Sequence, residues 1–165
     1  NDSGSSERSN EKGHSYYQGL LAKIGKLRGY STYIPNQDKN KMCVRESLGA
    51  IRSLNELPSF SYPYITKRAS TIDVSWFNDR DMPHSLFEIE HTTNFQNSLL
   101  KFYDLQDFNA RMIIVASPKR RRGFESKIDH LAFREIANRV DFYDYKALVR
   151  EYEYEAKMSK SEFKL

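Results

Sequence analysis

The strongest constraint on this chain is a pair of strand-like segments joined by a turn, each carrying acid inside an apolar pattern. Residues 71–77 (TIDVSWF) are mostly β-branched and aromatic, residues 78–83 (NDRDMP) are turn formers, and residues 84–91 (HSLFEIEH) alternate apolar and polar. That order predicts a β-hairpin with a loop of roughly six residues. Asp73 falls between Ile72 and Val74, and Glu88 and Glu90 flank Ile89. Side chains two apart on a strand point to one face, ~6–7 Å apart, and neighbouring strands lie ~4.8 Å apart. Asp73 can therefore join the two glutamates if the register allows.

The rest of the pattern surrounds this hairpin. A continuous apolar run at 112–116 (MIIVA) predicts a strand buried on both faces. Between it and the hairpin, Phe95, Leu99, Phe102, Leu105 and Phe108 recur at helical spacing, with residues 92–94 available as caps. Upstream, Tyr17, Leu20, Leu21, Ile24 and Leu27 predict a helix over 14–28 that Gly29 stops. Residues 30–34 then read as a strand closed by Pro35, and 36–41 as a polar loop. Residues 44–57 could hold a helix, while Pro58 and Pro63 argue for irregular or extended chain. Downstream, 118–140 reads as one long helix marked by Ile128, Leu131, Ala132, Glu135 and Ile136. Residues 141–143 read as a short edge strand, and Asp144 as the cap of a last helix reaching about Ala156. The expected class is α/β, a mixed β-sheet flanked by helices on both sides, with a right-handed crossover.

Residues 1–13 hold no aromatic or aliphatic side chain and are expected to be a flexible leader. Residues 157–165 read as a tail, which leaves a single domain over 14–156. A length of 165 residues suits that number. The first residue is Asn1, so a processed product, a tag remnant and a domain of a longer protein all remain open.

Composition removes several classes. No apolar run approaches the ~20 residues of a spanning helix, and neither end carries a charged region followed by an apolar one. Cys43 is the one cysteine, so an internal disulfide and a multi-cysteine zinc site are excluded; a reducing cytoplasm is the expected home. No P-loop, GxGxxG, GxSxG or HExxH pattern is present. Lys+Arg 26 against Asp+Glu 22 gives a net charge of +4, compatible with a nucleic-acid partner. Lys119, Arg120, Arg121 and Arg122 form a basic run that either grips phosphates or is a solvated helix end. Such a run is mildly unfavourable at a helix N-terminus, which tilts the reading toward a role in binding. Trp76, Phe77 and Phe87 are expected in the core, while the tyrosines are available to stack on bases.

Burying two or three carboxylates together is costly without a compensating cation. Mg²⁺, a hard ion bound through oxygen, supplies one. The alternative is that Glu88 and Glu90 face solvent, with Asp73 at a strand edge.

The stretch 71–92 resembles the core of the PD-(D/E)xK nuclease superfamily, the restriction-endonuclease-like fold. It is most similar to domains with His-x-x-x-Gln on a first helix, an Ile-Asp-Val strand, a Phe-Glu-Ile/Val-Glu-His-Thr strand and a Leu-Leu pair. This chain has His14 and Gln18, then Ile72-Asp73-Val74, then residues 87–92, then Leu99-Leu100. The resemblance covers roughly residues 14–140. It implies a metal-dependent endonuclease acting on DNA, expected to be double-stranded, from a restriction or defence system. Asp73 and Glu88 would then be ligands of Mg²⁺, with Mn²⁺ able to substitute. Glu90 stands where most members have lysine, as a base, a water-orienting group or a further ligand. Gln18 would lie near the site, and Lys101 could replace the missing lysine if it points inward. Ile72 replaces the usual proline. His91 should lie on the opposite face from the glutamates, and both it and His14 are expected mainly to pack or cap, although the resemblance sets His14 near the site. A homodimer, or membership of a larger restriction protein, is implied by analogy. The departure at Glu90 leaves an alternative: a non-catalytic nucleic-acid-binding or assembly module on the same fold. A purely structural domain of a larger protein is a third option.

Overall fold

The computed structural model describes residues 13–92 and 94–162, so most of the expected leader and the end of the expected tail lie outside the described residues. The chain opens with α1 (His14–Leu27), which Gly29 ends at φ +87°, a left-handed conformation that suits glycine. There follow β1 (Ser31–Tyr33), a small hairpin of β2 (Met42–Cys43) and β3 (Glu46–Ser47), the single turn α2 (Leu48–Ile51) and α3 (Pro63–Ala69). The predicted hairpin is β4 (Val74–Phe77) and β5 (Pro83–Glu90), then α4 (Gln96–Asp104) and β6 (Arg111–Ala116). The remainder is α5 (Arg121–Ile128), β7 (Val140–Asp144) and α6 (Tyr145–Glu162).

Five strands form a mixed sheet in the order β1-β4-β5-β6-β7. The β1/β4 and β4/β5 pairs are antiparallel, while β5/β6 and β6/β7 are parallel. Alternation along the central strands divides their side chains between two cores. Val74, Trp76, Phe87, Ile89, Ile113 and Val115 pack with α1 and α6 residues such as Leu21, Ile24 and Leu148. Leu86, Met112, Ile114 and Ala116 pack on the other side with Leu99 and Phe102 of α4 and Phe124 and Ile128 of α5. Helices therefore cover both faces, as expected. The indole of Trp76 donates to the Leu21 carbonyl at 3.0 Å, so its buried N–H is satisfied. Gly25 makes the approach possible, because a Cβ there would lie 2.5 Å from the indole nitrogen.

Several expectations are corrected. Within 44–57 only four residues are helical. Pro63 starts α3 rather than breaking the chain, since its missing N–H costs nothing at the first helical position. The long helix over 118–140 is broken: a 3-10 turn at Pro118–Arg120 leads into α5, and His130 is extended. A continuous helix would carry Ile128 and Leu131 on one face and turn Phe133 about 140° away from Ile128. The core instead takes Phe133 and Ile136 and leaves Leu131 82% exposed. The hairpin strand begins at Val74, which leaves Asp73 in the turn before it, and α6 continues past Ala156 to Glu162. Asp144 caps α6 as expected, its Oδ1 accepting from the Ala147 amide at 2.8 Å. No described helix is long and apolar enough to cross a membrane.

Candidate active site

The hairpin register pairs Val74 with Phe87, which brings Asp73 beside Glu88 at the mouth of the β4/β5 pair. Main-chain hydrogen bonds fix both acids. The Asp73 amide donates to Glu88 Oε2 at 2.9 Å, and the Ile89 amide donates to Asp73 Oδ2 at 2.8 Å. Glu88 is 2% exposed. Glu90 lies two residues on, half-buried on the same face, where its Oε1 accepts from the Ser98 hydroxyl at 2.5 Å.

Two helices complete the cluster. Ser98 and Lys101 are three apart on α4 and so share a face. Lys101 Nζ lies 2.7 Å from Glu88 Oε1 and donates to the Thr71 carbonyl at 2.9 Å. On the other side of the sheet, α1 sets His14 and Gln18 one turn apart. His14 Nε2 meets Asp73 Oδ2 at 3.1 Å and Nδ1 meets Gln18 Oε1 at 3.0 Å. Gln18 Nε2 donates to the Asp73 carbonyl and to Asp38 Oδ2, both at 3.1 Å.

These contacts separate the acids electrostatically. Burial and the neighbouring Asp73 carboxylate push Glu88 up, while Lys101 pulls it down; Glu88 ends well above the usual carboxylate range, at about 8. Burial acts on Asp73 too. There the His14 hydrogen bond and charge, helped by the Ile89 amide, outweigh it and hold Asp73 below the usual range. Burial raises Glu90, offset in part by the Ser98 hydroxyl. His14 is raised, burial being outweighed by Asp73 and Gln18.

Asp73, Glu88, Gln18 and Lys101 are thus brought together, and Glu90 adjoins them through α4. His91 lies on the opposite side from the glutamates, its Nδ1 3.0 Å from the Tyr145 hydroxyl. The basic run follows β6, whose Ala116 pairs with Glu90, so Lys119 to Arg122 leave the sheet at the acidic end. Lys119, Arg121 and Arg122 are exposed, and Arg121 lies 4.7 Å from the Phe142 ring centre. Trp76, Phe77 and Phe87 are buried, whereas Tyr62 and Tyr64 form a parallel, exposed pair 6.0 Å apart at the start of α3.

Two participants, Ser98 and Asp38, went unrecognised in the sequence. His14 was expected mainly to pack or cap, although the resemblance set it near the site; it pairs with Asp73 at 3.1 Å. Ser98 could have been found from its spacing to Lys101 on the helical face. Asp38, in the expected loop, is buried between Gln18 and Lys41, and no local pattern distinguished it.

Among the described residues no three or more His, Cys, Asp or Glu side chains are arranged to hold a metal ion. The paired carboxylates are those of Asp73 and Glu88, with Glu88 Oε1 facing Lys101 and Oε2 accepting from the Asp73 amide.

The family model for the type II restriction enzyme NmeDI C-terminal domain matches residues 1–163. No curated protein and no solved structure gives a match. Because the match spans nearly all of its length, the chain belongs to the type II restriction enzyme NmeDI C-terminal domain family.

Proposed function

We propose that this domain is a metal-dependent DNA endonuclease of a restriction or defence system, a PD-(D/E)xK variant with Glu90 in the usual lysine position. The observation that carries this reading is the buried Asp73–Glu88 pair with Lys101 set 2.7 Å from Glu88. Both donors are hard oxygens, which suit Mg²⁺ or Mn²⁺, and Asp73 is kept ionised for such an ion. When bound, Mg²⁺ supplies charge that polarises the scissile phosphate and acidifies a water molecule. Asp73 and Glu88 would hold the ion. Lys101, 2.7 Å from Glu88, would provide a cation for charge developing on the phosphate. Glu90 Oε1 is oriented by Ser98, which leaves Oε2 to take a proton from water; its raised proton affinity suits a base. Lys119 to Arg122 would contact backbone phosphates. Cutting both strands of a duplex calls for two such sites, which a homodimer or a larger restriction protein supplies.

One observation favours the non-catalytic module instead: Lys101 already supplies the counter-charge of Glu88. Cleavage of plasmid and single-stranded DNA with Mg²⁺, Mn²⁺ or EDTA, run beside Asp73→Ala, separates the two. Metal-dependent cutting lost in the variant supports the nuclease. Salt-sensitive binding in EDTA, with no cutting under either metal, supports the module.

A further inference from the structure

Three charged side chains are buried among the described residues: Asp38, Glu88 and Arg52. The first two each have a lysine ammonium at 2.7 Å. Arg52 has no carboxylate within ion-pair distance among the described residues, although it is only 8% exposed. Its Nη1 donates to the Ile34 carbonyl at 2.7 Å, and its guanidinium carbon lies 5.5 Å from the centre of the Tyr33 ring. Its Nε is buried with no partner. Arginine does not escape burial by losing its proton, and a buried cation without counter-charge is costly.

The same side chain lines an open cleft of about 570 Å³. Asn36, Lys39, Asn40 and Asn55 share its walls, with Glu56 as the acid among them. Lys39 and Arg52 against Glu56 leave these walls with a charge of +1. A planar guanidinium, an ammonium and side-chain amides are donors matched to a tetrahedral oxyanion. We propose that this cleft is a phosphate-binding site centred on Arg52.

Its place in the fold relates it to the nucleic-acid reading. Asn36 opens the 3-10 turn Asn36–Asp38, and Lys39 and Asn40 follow it. Asp38 of that turn accepts from Gln18, which also holds the Asp73 carbonyl. One short segment thus reaches Gln18, a partner of Asp73, through Asp38 and lines the cleft through its neighbours. A nucleic-acid backbone phosphate is the source that fits the reading above and rests on it; free phosphate has the same chemistry.

The test is an NMR titration of the arginine Nε–H resonances of the full chain in EDTA, with the Arg52 signal identified by its loss in Arg52→Lys. The probes are inorganic phosphate and a short duplex oligonucleotide. We expect a saturable shift of the Arg52 signal, and at least about tenfold weaker binding in the Lys39→Ala/Asn55→Ala variant, which alters only exposed side chains. A shift with the duplex alone assigns a backbone phosphate. A shift with inorganic phosphate alone supports the site and detaches it from nucleic acid. An Arg52 signal unmoved by both probes overturns the proposal. Repeating the titration on Asp73→Ala separates this site from the catalytic reading: binding there with no cutting by the parent chain would sink the nuclease and leave the phosphate site standing.

Discussion

His14 faces oxygen acceptors at both ring nitrogens, Asp73 Oδ2 at 3.1 Å and Gln18 Oε1 at 3.0 Å. The Gln18 amide cannot reverse without loss, because its nitrogen already donates to Asp38 and to the Asp73 carbonyl. Both ring nitrogens must therefore donate, and His14 is an imidazolium. Its raised pKa agrees.

The pH dependence of the pair follows from the two shifts. The His14 share of stability is fully present below the ordinary histidine pKa and is lost as pH rises through the raised folded value. The Asp73 share is present above the ordinary carboxylate range and is lost as pH falls through its lowered folded value. His14→Ala should cost about 1.5–3 kcal/mol near pH 6, the scale of a charged hydrogen bond, and markedly less near pH 9. Urea unfolding of both proteins at the two pH values checks this, and a gap that does not shrink at the higher pH would refute the imidazolium.

Lys101→Met removes the counter-charge of a glutamate that is 2% exposed. Burial and Asp73 already raise Glu88 to about 8, so at pH 7 it is mostly protonated and the cost should be about 1 kcal/mol, growing above pH 8 where the bared carboxylate would ionise. Above pH 8, adding Glu88→Gln to that variant should recover stability, because no buried carboxylate is left to ionise. A double-mutant cycle with additive losses would show that the 2.7 Å contact contributes no coupling.

Glu88 titrates at about 8 because burial and Asp73 favour its proton. Its contribution to stability is present below the ordinary carboxylate range and is lost as pH rises through about 8. A divalent ion on this carboxylate competes with that proton. Stabilisation by Mg²⁺, read as a shift in thermal midpoint, should therefore grow from pH 6 to pH 9 and disappear in Asp73→Ala. A pH-independent shift would place the ion elsewhere.

Replacing Lys119, Arg120, Arg121 and Arg122 by alanine should weaken DNA binding and flatten its salt dependence. Each lost phosphate contact lowers the slope of log K against log salt by about 0.9. Fluorescence anisotropy in EDTA over a range of salt concentrations measures it. An unchanged slope would leave the run as a solvated helix end.

Much of the sheet was legible because its strands repeat simple patterns. MIIVA is apolar throughout since both of its faces are covered, and Phe87 and Ile89 alternate with Glu88 and Glu90 because one face of β5 packs in the α1/α6 core while the other carries the acid cluster. The acid pair was legible for the same reason: parity and hairpin register are local. The break after α5 was not, since the choice between Leu131 and Phe133 is made by the space beneath β7, which helical spacing does not report. Lys101 was legible only as a conditional, because its direction depends on how α4 docks. Arg52 was hidden altogether, as nothing in a loop-rich segment says that a cation will be buried.

β5 is the strand where the sheet changes sense, antiparallel to β4 and parallel to β6. During folding these two borders close on different terms. Pairing with β4 needs only the short loop after Phe77, so Asp73 and Glu88 can meet within microseconds. Lys101 arrives with the crossover that carries the chain to β6, and His14 comes from the far end of the sequence, at a higher cost in loop closure. While the chain folds, the acids can therefore meet before either cation docks, and repulsion between Asp73 and Glu88 opposes the hairpin until α4 and α1 are in place.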